Sequence, residues 1–147
     1  MSAKVEVGSV TPILRVADIA ASVDYYTRVL GFALNWRDDD GNAFASVTRG
    51  GCTLFLSVGD QGHAGGWVWV ATADADALGE ELRANGAKVR HPPANYPWGS
   101  REVHIEDLDG NVIRFGSANK AGEPSGDWLD MHGVRWTRTA GGGWTRA

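Results

Sequence analysis

The sequence is poor in the residues that build cross-linked or metal-bound frameworks. It contains a single cysteine, Cys52, and only four histidines. One thiol cannot form an intramolecular disulfide, and a cysteine-based zinc cluster requires several thiolates. These shortages exclude a disulfide-stapled scaffold and a cysteine zinc module.

Long apolar runs and an excess of positive charge are also missing. No apolar run approaches the roughly 18 residues that a membrane-spanning helix requires. The opening segment, MSAKVEVGSV, lacks the apolar stretch of a signal peptide, so we expect a cytoplasmic protein with no membrane partner. The formal net charge of −4 argues against a nucleic-acid partner, because phosphate binding needs a clustered basic face.

What the chain does contain is an unusual amount of tryptophan, with seven in 147 residues. A chain of this length forms one domain with a sizeable core. Tryptophan is a demanding core residue because its ring N–H needs a partner when it is buried. Several of the seven are therefore expected to form an aromatic binding surface, while one or two are structural.

The order of the predicted elements repeats along the chain. A branched apolar strand at residues 10–16 precedes an amphipathic helix that ends at Gly31, where a left-handed cap belongs. Three short strands separated by turns follow. The order restarts with the strand GWVWVAT, so the chain reads β-α-β-β-β twice, over residues 10–58 and 66–116. This pattern predicts an α+β fold for residues 1–116.

Residues 117–147 form a C-terminal extension of different character. The segment is rich in glycine and polar residues, yet it holds Trp128, Trp136 and Trp144. A purely flexible tail seldom contains three tryptophans, which favours a partly ordered arm packed on the domain or on a partner subunit. A frayed tail is an equal alternative for the last ten or so residues.

Four segments, taken in order, carry a family resemblance. They are CTLFLSV at residues 52–58, GWVWV at 66–70, PWGSRE at 97–102 and EDLDGNVIRF at 106–115. With the doubled module, they resemble the bleomycin-resistance proteins of the glyoxalase/bleomycin-resistance/extradiol-dioxygenase superfamily, also called vicinal oxygen chelate proteins. The resemblance implies curved sheets around a cleft and a strand-exchanged homodimer, in which Pro12 matches the proline of the first strand.

Proteins of this branch sequester a drug without altering it, so the resemblance implies a bleomycin-type antibiotic as partner and no enzymatic activity. They clasp a planar bithiazole between aromatic side chains, and acidic groups receive the cationic tail. Carried over position by position, the expected contacts are Trp36, Phe44, Ser57, Trp67, Trp98 and Gly99. We expect no cofactor.

The alternation of residues along the strands agrees with an aromatic cleft. Trp67 and Trp69 alternate with valines and therefore project from one face of their strand, and Phe55 alternates with leucines in the same way. The valines and leucines suit the packed side, which leaves the rings facing the cleft. Such a cleft suits a planar heteroaromatic ligand held by stacking.

The resemblance also indicates where metal-dependent members of the superfamily hold their ion. The corresponding positions in this sequence are Thr11, Phe55, Trp67 and Arg114. None supplies the imidazole, carboxylate or thiolate that a divalent metal prefers. We therefore expect no metal, and Arg114 is instead a candidate contact for the ligand.

Polar candidates lie on the strand SREVHIE. If Val103 and Ile105 face the helices, then Glu102 and His104 face the cleft and are candidate ligand contacts. The other histidines are expected to be solvated; they are His63, His91 and His132. The candidates for an anionic rim are Asp38, Asp39, Asp40, Asp60 and Glu102.

Two rival functions stay open at this point. One is a lyase, isomerase or dioxygenase on the same fold, with acid/base chemistry by His104 and Glu102 or a metal bound elsewhere. The other is a housekeeping protein that uses the fold without a drug ligand.

Overall fold

The computed structural model describes residues 3–38, 43–130 and 132–147, and its elements follow the predicted order. The first module comprises β1 (Ile13–Arg15), α1 (Ile19–Asp24) with a π-helical turn (Tyr25–Val29), β2 (Ala33–Arg37), β3 (Phe44–Arg49) and β4 (Cys52–Ser57). The second comprises β5 (Trp67–Ala71), α2 (Ala75–Ala84), β6 (Lys88–Asn95), β7 (Ser100–Glu106) and β8 (Val112–Ala118). The extension adds β9 (Trp128–Leu129), β10 (Arg135–Arg138) and β11 (Trp144–Arg146).

Each module builds one curved four-stranded sheet of the same topology. The strand orders are β1-β4-β3-β2 and β5-β8-β7-β6. In both sheets the first strand pairs in parallel with the last, and the other neighbours are antiparallel. The predicted α+β fold of two β-α-β-β-β modules is confirmed. Its first strands, β1 and β5, each lie at a sheet edge.

Local chemistry sets the ends of the helices. The Asp18 carboxylate accepts a hydrogen bond from the Ala21 amide, and Asp74 does the same for Ala77, so both helices begin at an aspartate cap. The first helical segment ends at Gly31, which has the positive φ of +74° that glycine tolerates best. Within the described ranges, no helix combines the length and apolar character needed to cross a membrane.

The core lies between the sheets and the helices. Leu54 and Leu56 of β4, together with Val103 and Ile105 of β7, are fully or almost fully buried in it. Because side chains alternate along a strand, the residues between them project from the opposite face. That second face is the one available to a ligand.

The turn after β7 joins the two modules. The buried Asp107 accepts hydrogen bonds from the amides of Asp109 and Asn111 and from the hydroxyl of Tyr26 on the first module. The side-chain amide of Asn111, through Nδ2, in turn donates to the carbonyl of Arg15. These acidic and amide residues form a turn, and their contacts are structural.

Strand β6 is longer than predicted. From the sequence, the segment AKVRH at residues 87–91 reads as the strand, but β6 continues through Pro92 and Pro93 to Asn95. Proline is tolerated because β6 is an edge strand with irregular register, where missing ladder hydrogen bonds cost little. This continuation brings the chain to the aromatic site described below.

Candidate ligand-binding site

The first module presents three aromatic rings on the face that the helices leave free. Trp36 stacks on Phe44 with ring centroids 5.8 Å apart and planes 10° apart, and Phe55 packs against both. A β-bulge between Leu34 and Trp36 shifts the register in which β2 pairs with β3. Trp36 is 47% exposed. We call Trp36, Phe44 and Phe55 the first-module wall.

The second module presents a larger aromatic group, Trp67, Tyr96, Trp98 and His104, which we call the second-module wall. Tyr96 is its centre, stacked on Trp98 at 4.7 Å and on His104 at 5.4 Å with nearly parallel planes. Trp67 meets His104 edge to face at 6.1 Å. The buried Tyr96 and His104 form its base, while Trp67 and Trp98 remain 37% and 50% exposed.

A buried carboxylate, Glu102, holds this wall together. The Arg114 guanidinium donates to both carboxylate oxygens, over distances of 2.8 and 3.0 Å. The indole N–H of Trp98 donates to Glu102 Oε2 at 2.8 Å, and His104 Nε2 lies 3.0 Å from Oε1. Arg114 also lies over the Trp98 ring, 5.5 Å from its centroid. One carboxylate therefore orients the indole, the imidazole and the guanidinium.

The hydrogen bonds at Glu102 keep it ionised. Burial alone would raise its pKa, but the hydrogen bonds from His104, Arg114 and Trp98 outweigh burial and hold the pKa well below its usual range. Charge-assisted hydrogen bonds of this kind are stronger than neutral ones. An ionised Glu102 fixes His104 Nε2 as a proton donor.

The structure contradicts the prediction that the His91 side chain is solvated. It is only 5% exposed and packs against Tyr96 and His104. Its Nδ1 lies 2.8 Å from the carbonyl of Pro92, which makes that nitrogen the protonated one. Burial lowers the pKa of His91 and raises that of Tyr96. The prediction was wrong because β6 continues past His91 and carries its ring under the wall.

The predicted contacts divide between the two walls. Trp36, Phe44 and Phe55 come together in the first wall. The second wall brings together Trp67, Trp98, Glu102, His104 and Arg114. Ser57 is buried and accepts a hydrogen bond from the Gly59 amide, whereas Gly99 is exposed beside Trp98 with a φ of +87°.

Two further expectations need correction. Glu102 is 0% exposed and fully paired, so it is not a rim acid that could receive a cationic tail. Trp69 lies deeper in its strand than Trp67, a position that favours a structural role from sequence alone, yet it is 52% exposed and less buried than Trp67. Its indole lies over Gly116, where an added Cβ would come within 2.6 Å of the ring nitrogen.

The remaining rim candidates lie in the first module. Asp60 is exposed, and Asp38 is partly buried with one carboxylate oxygen that has no hydrogen-bond partner within the described ranges. Asp39 and Asp40 lie outside the described residues. Only Asp60 is thus seen in the open position that a rim acid requires.

The positions used for a metal in the superfamily do not fit a divalent ion in this chain. Phe55 and Trp67 are wall residues, and Arg114 places a guanidinium there. Across residues 3–38, 43–130 and 132–147, no three His, Cys, Asp or Glu side chains are grouped so that they could hold a metal ion.

Sequence reasoning missed three residues of the second-module wall and its surroundings. Tyr96 sits directly before the PWG segment, and this adjacency was the available signal. Arg90 bridges Glu106 at 2.9 Å and lies over the Trp67 ring at 5.2 Å. Trp128 of the extension packs edge to face on Trp98 at 6.2 Å, a contact that no spacing in the sequence indicates.

Comparison with known proteins agrees with this architecture. A family profile described as "Glyoxalase/Bleomycin resistance protein/Dioxygenase superfamily" matches residues 7–115, which ends before the extension. An uncharacterized protein of Mycolicibacterium smegmatis is 33% identical over 110 residues, covering 74% of this chain and 91% of the relative.

Solved structures share the fold at lower identity. The bleomycin-binding protein of bleomycin-producing Streptomyces verticillus, complexed with copper(II)-bleomycin, is 28% identical, with a TM-score of 0.63 over 80% of this chain and 100% of that one. TioX from Micromonospora sp. ML1 is 28% identical, with a TM-score of 0.64 over 76% of this chain and 100% of that one. The profile match covers most of the chain, and the chain therefore belongs to the glyoxalase/bleomycin-resistance/dioxygenase superfamily.

Proposed function

We propose that this protein confers antibiotic resistance in the cytoplasm by binding a planar, cationic drug of the bleomycin type and sequestering it without modification. The observation that carries the proposal is the second-module wall. Trp67 and Trp98 present exposed indole surface over a buried ion pair that keeps the site rigid. Rigid, exposed aromatic faces suit a flat ligand because little conformational freedom is lost on stacking.

The chemistry of Glu102 favours binding over catalysis. Both of its oxygens accept hydrogen bonds, and its pKa is held well below the usual range by His104, Arg114 and Trp98 against the opposing effect of burial. A general base works best with a pKa near the operating pH. Glu102 is instead suited to positioning the wall.

The charge of the chain is compatible with a cationic ligand. Its formal net charge is −4, and Asp60 is exposed in the first module. Since Glu102 is paired with Arg114, attraction for a cation comes from such surface acids and from the overall field, and salt weakens it.

The proposal includes a homodimer in which the N-terminal arms are exchanged. Val5, Val7 and Val10 are 86–95% exposed, an unusual state for three apolar residues of one segment. The base of this arm, with Pro12, lines a groove of about 660 Å³ beside the edge strand β5. If the arm of a second copy lay along β5, it would cover both the valines of that arm and the outer edge of the strand.

One experiment tests the proposed function. Metal-free and copper-loaded bleomycin are titrated into the full chain by calorimetry, and the recovered drug is analysed by mass spectrometry. The proposal expects saturable binding near one drug per chain with unaltered mass. Chemically altered drug contradicts sequestration, and the absence of binding contradicts a bleomycin-type ligand.

A second candidate, an acid/base enzyme on this fold, is favoured by one observation. His104 is buried, with Nε2 on Glu102 and with Nδ1 lacking any partner among the described residues. A carboxylate that orients a histidine is also the arrangement found in general-base catalysis. Turnover of a small carbonyl substrate that disappears in the His104→Gln variant would favour this candidate over sequestration.

A further inference from the structure

The C-terminal extension packs against the second-module wall through one residue, Trp128. Its indole meets Trp98 edge to face, with centroids 6.2 Å apart and planes at 83°. Trp136 stacks behind it at 6.3 Å, and the indole N–H of Trp136 donates to Asp130 Oδ2 at 2.9 Å. The third sheet, β11-β10-β9, thus presents an indole beside the half-exposed Trp98.

The start of the extension is held in place by the second module. The buried Asn95 side chain donates to the carbonyls of Lys120 and Glu123 and accepts from the Lys120 amide. Arg101 adds an ion pair to Glu123 at 3.1 Å. Arg90 reaches from β6 to the carbonyl of Asp130 at 2.5 Å. Trp128 is therefore placed by contacts on both sides of it.

Two residues that join the extension to the second module each carry a hydrogen-bond donor with no acceptor among the described residues. They are the indole Nε1 of Trp128 and the guanidinium Nε of Arg90, both buried. A buried donor without a partner costs on the order of 1–3 kcal/mol, and such groups in native structures call for an explanation. A ligand oxygen that accepts a hydrogen bond from Trp128 Nε1 would explain why this donor is unpaired in the free chain.

The extension borders the wall without filling it. With the extension in place, Trp98 is still 50% exposed and Trp67 37% exposed. A segment that plugged the site would have covered these indoles. The arrangement instead adds a third indole at the border of the same aromatic surface.

From these contacts we propose that Trp128 is a ligand-contacting residue, so that the drug lies against Trp67, Trp98 and Trp128 and accepts a hydrogen bond from Trp128 Nε1 through a carbonyl or amide oxygen. The inference rests on the proposed function and refines its ligand to a planar ring system with an adjacent acceptor oxygen. Because the N–H is covered in the free chain, the extension shifts slightly on binding, and the new hydrogen bond favours that shift.

The test uses the full chain with metal-free bleomycin as the probe. Trp128→Phe retains an aromatic ring and removes the donor, so its dissociation constant should rise about three- to tenfold, the usual range for one hydrogen bond. Trp144→Phe is the matched control, an indole of the same sheet one ring further from Trp98, and it should bind like the unaltered chain. Circular dichroism checks the fold of both variants.

A second measurement needs no substitution at the site. In the chain labelled with 5-fluorotryptophan, the ¹⁹F resonance of Trp128, assigned with the Phe variant, should move on adding drug, while that of Trp144 stays near its place. Equal affinity of Trp128→Phe and the unaltered chain, with an unmoved Trp128 resonance, overturns the inference and leaves the proposed function standing. No binding by the unaltered chain overturns both.

Discussion

A carboxylate with no exposed surface, Glu102, links two side chains of the second-module wall to a guanidinium on the neighbouring strand. Its partners Trp98, His104 and Arg114 come from the segment before β7, from β7 itself and from β8. Removing one member of a buried ion pair leaves the other without compensation, which is strongly destabilising. The geometry of the aromatic surface therefore depends on this charge.

We predict that Glu102→Gln, which keeps the shape of the side chain, lowers the free energy of unfolding by about 2–4 kcal/mol at neutral pH. The value lies toward the low end for buried pairs because the Arg114 side chain is 30% exposed and regains some solvation. Urea unfolding measures the effect. Glu80→Gln is the control, because Glu80 forms a surface pair with Arg83 that contributes little.

The stability lost in Glu102→Gln should depend on pH in a direction that the depressed pKa of Glu102 determines. The pKa of Glu102 is depressed in the folded chain relative to its ordinary value of 4.5, so its contribution is complete above about pH 4.5 and is lost as the pH falls below it. The stability difference between the unaltered chain and Glu102→Gln should shrink as the pH is lowered from 6 to 3, to be followed by thermal unfolding. A difference that stays constant contradicts a depressed pKa.

Trp98 separates binding from folding. Half of its surface is exposed, so Trp98→Ala should raise the dissociation constant for bleomycin about hundredfold, whereas stability should fall by about 1–2 kcal/mol, chiefly through the lost hydrogen bond to Glu102. Calorimetry and thermal unfolding measure the two quantities. Leu108→Ala removes a comparably exposed apolar side chain in the turn after β7 and should change neither. Equal losses of binding and stability would make Trp98 a core residue.

For single residues, the sequence predicted which face of a strand a side chain occupies but not which partner it binds. The alternation of Val103 and Ile105 correctly placed Glu102 and His104 on the opposite face, because strand periodicity is local. The pairing of Glu102 with Arg114 was not predictable, since the partners are twelve residues apart and meet only through the register of β7 and β8. An acidic residue in a cleft can be unpaired or can form an ion pair, and the register of the neighbouring strands decides which of the two occurs.

At the scale of elements, the extension behaves as part of the folded second module. Asn95 makes three hydrogen bonds to the backbone of residues 120–123, and the amide of Gly126 donates to its carbonyl. The isolated bridge between Asn95 and Ser125 continues this contact. One side chain of β6 thus fixes where the extension starts.

Asn95→Ala should therefore loosen the start of the extension. We expect the backbone amides of residues 118–130 to exchange with solvent at least about tenfold faster, because lost side-chain bonds lower the cost of local opening. Hydrogen exchange with mass spectrometry measures this, with peptides from α2 as an internal reference. Glu123→Gln, which weakens one ion pair and keeps the Asn95 contacts, should change exchange far less.

The modules were predictable from sequence, and so was the packing of the extension on the domain, but the strands of the extension were not. Aspartate caps, helical spacing and period-two strands are local signals, and the predicted strand 100–106 matches β7 to the residue. The strands β9, β10 and β11 have two to four residues each and lie among glycines, so their pairing comes from tertiary contacts. Proline in β6 hid the last part of that strand in the same way.

At the scale of the whole molecule, the described part of a single chain leaves the apolar N-terminal arm exposed and the outer edge of β5 unpaired. If the arms are exchanged between two copies, Val5→Asp combined with Val7→Asp should convert a dimer into a monomer, because each charge would be buried against β5. Analytical ultracentrifugation measures the mass. Lys4→Ala combined with Glu6→Ala alters the alternate arm positions and should leave the dimer intact. A monomer before any substitution contradicts arm exchange.

The central claim is that each chain binds about one drug molecule and holds it unaltered, without turning over further molecules. The most direct measurement mixes the full chain with a large molar excess of bleomycin and follows the free, unaltered drug over time by filtration and mass spectrometry. Sequestration predicts an immediate fall of about one drug per chain and a constant level thereafter, with every recovered molecule at its original mass. A level that continues to fall, or the appearance of a product of different mass, would show turnover and contradict the account.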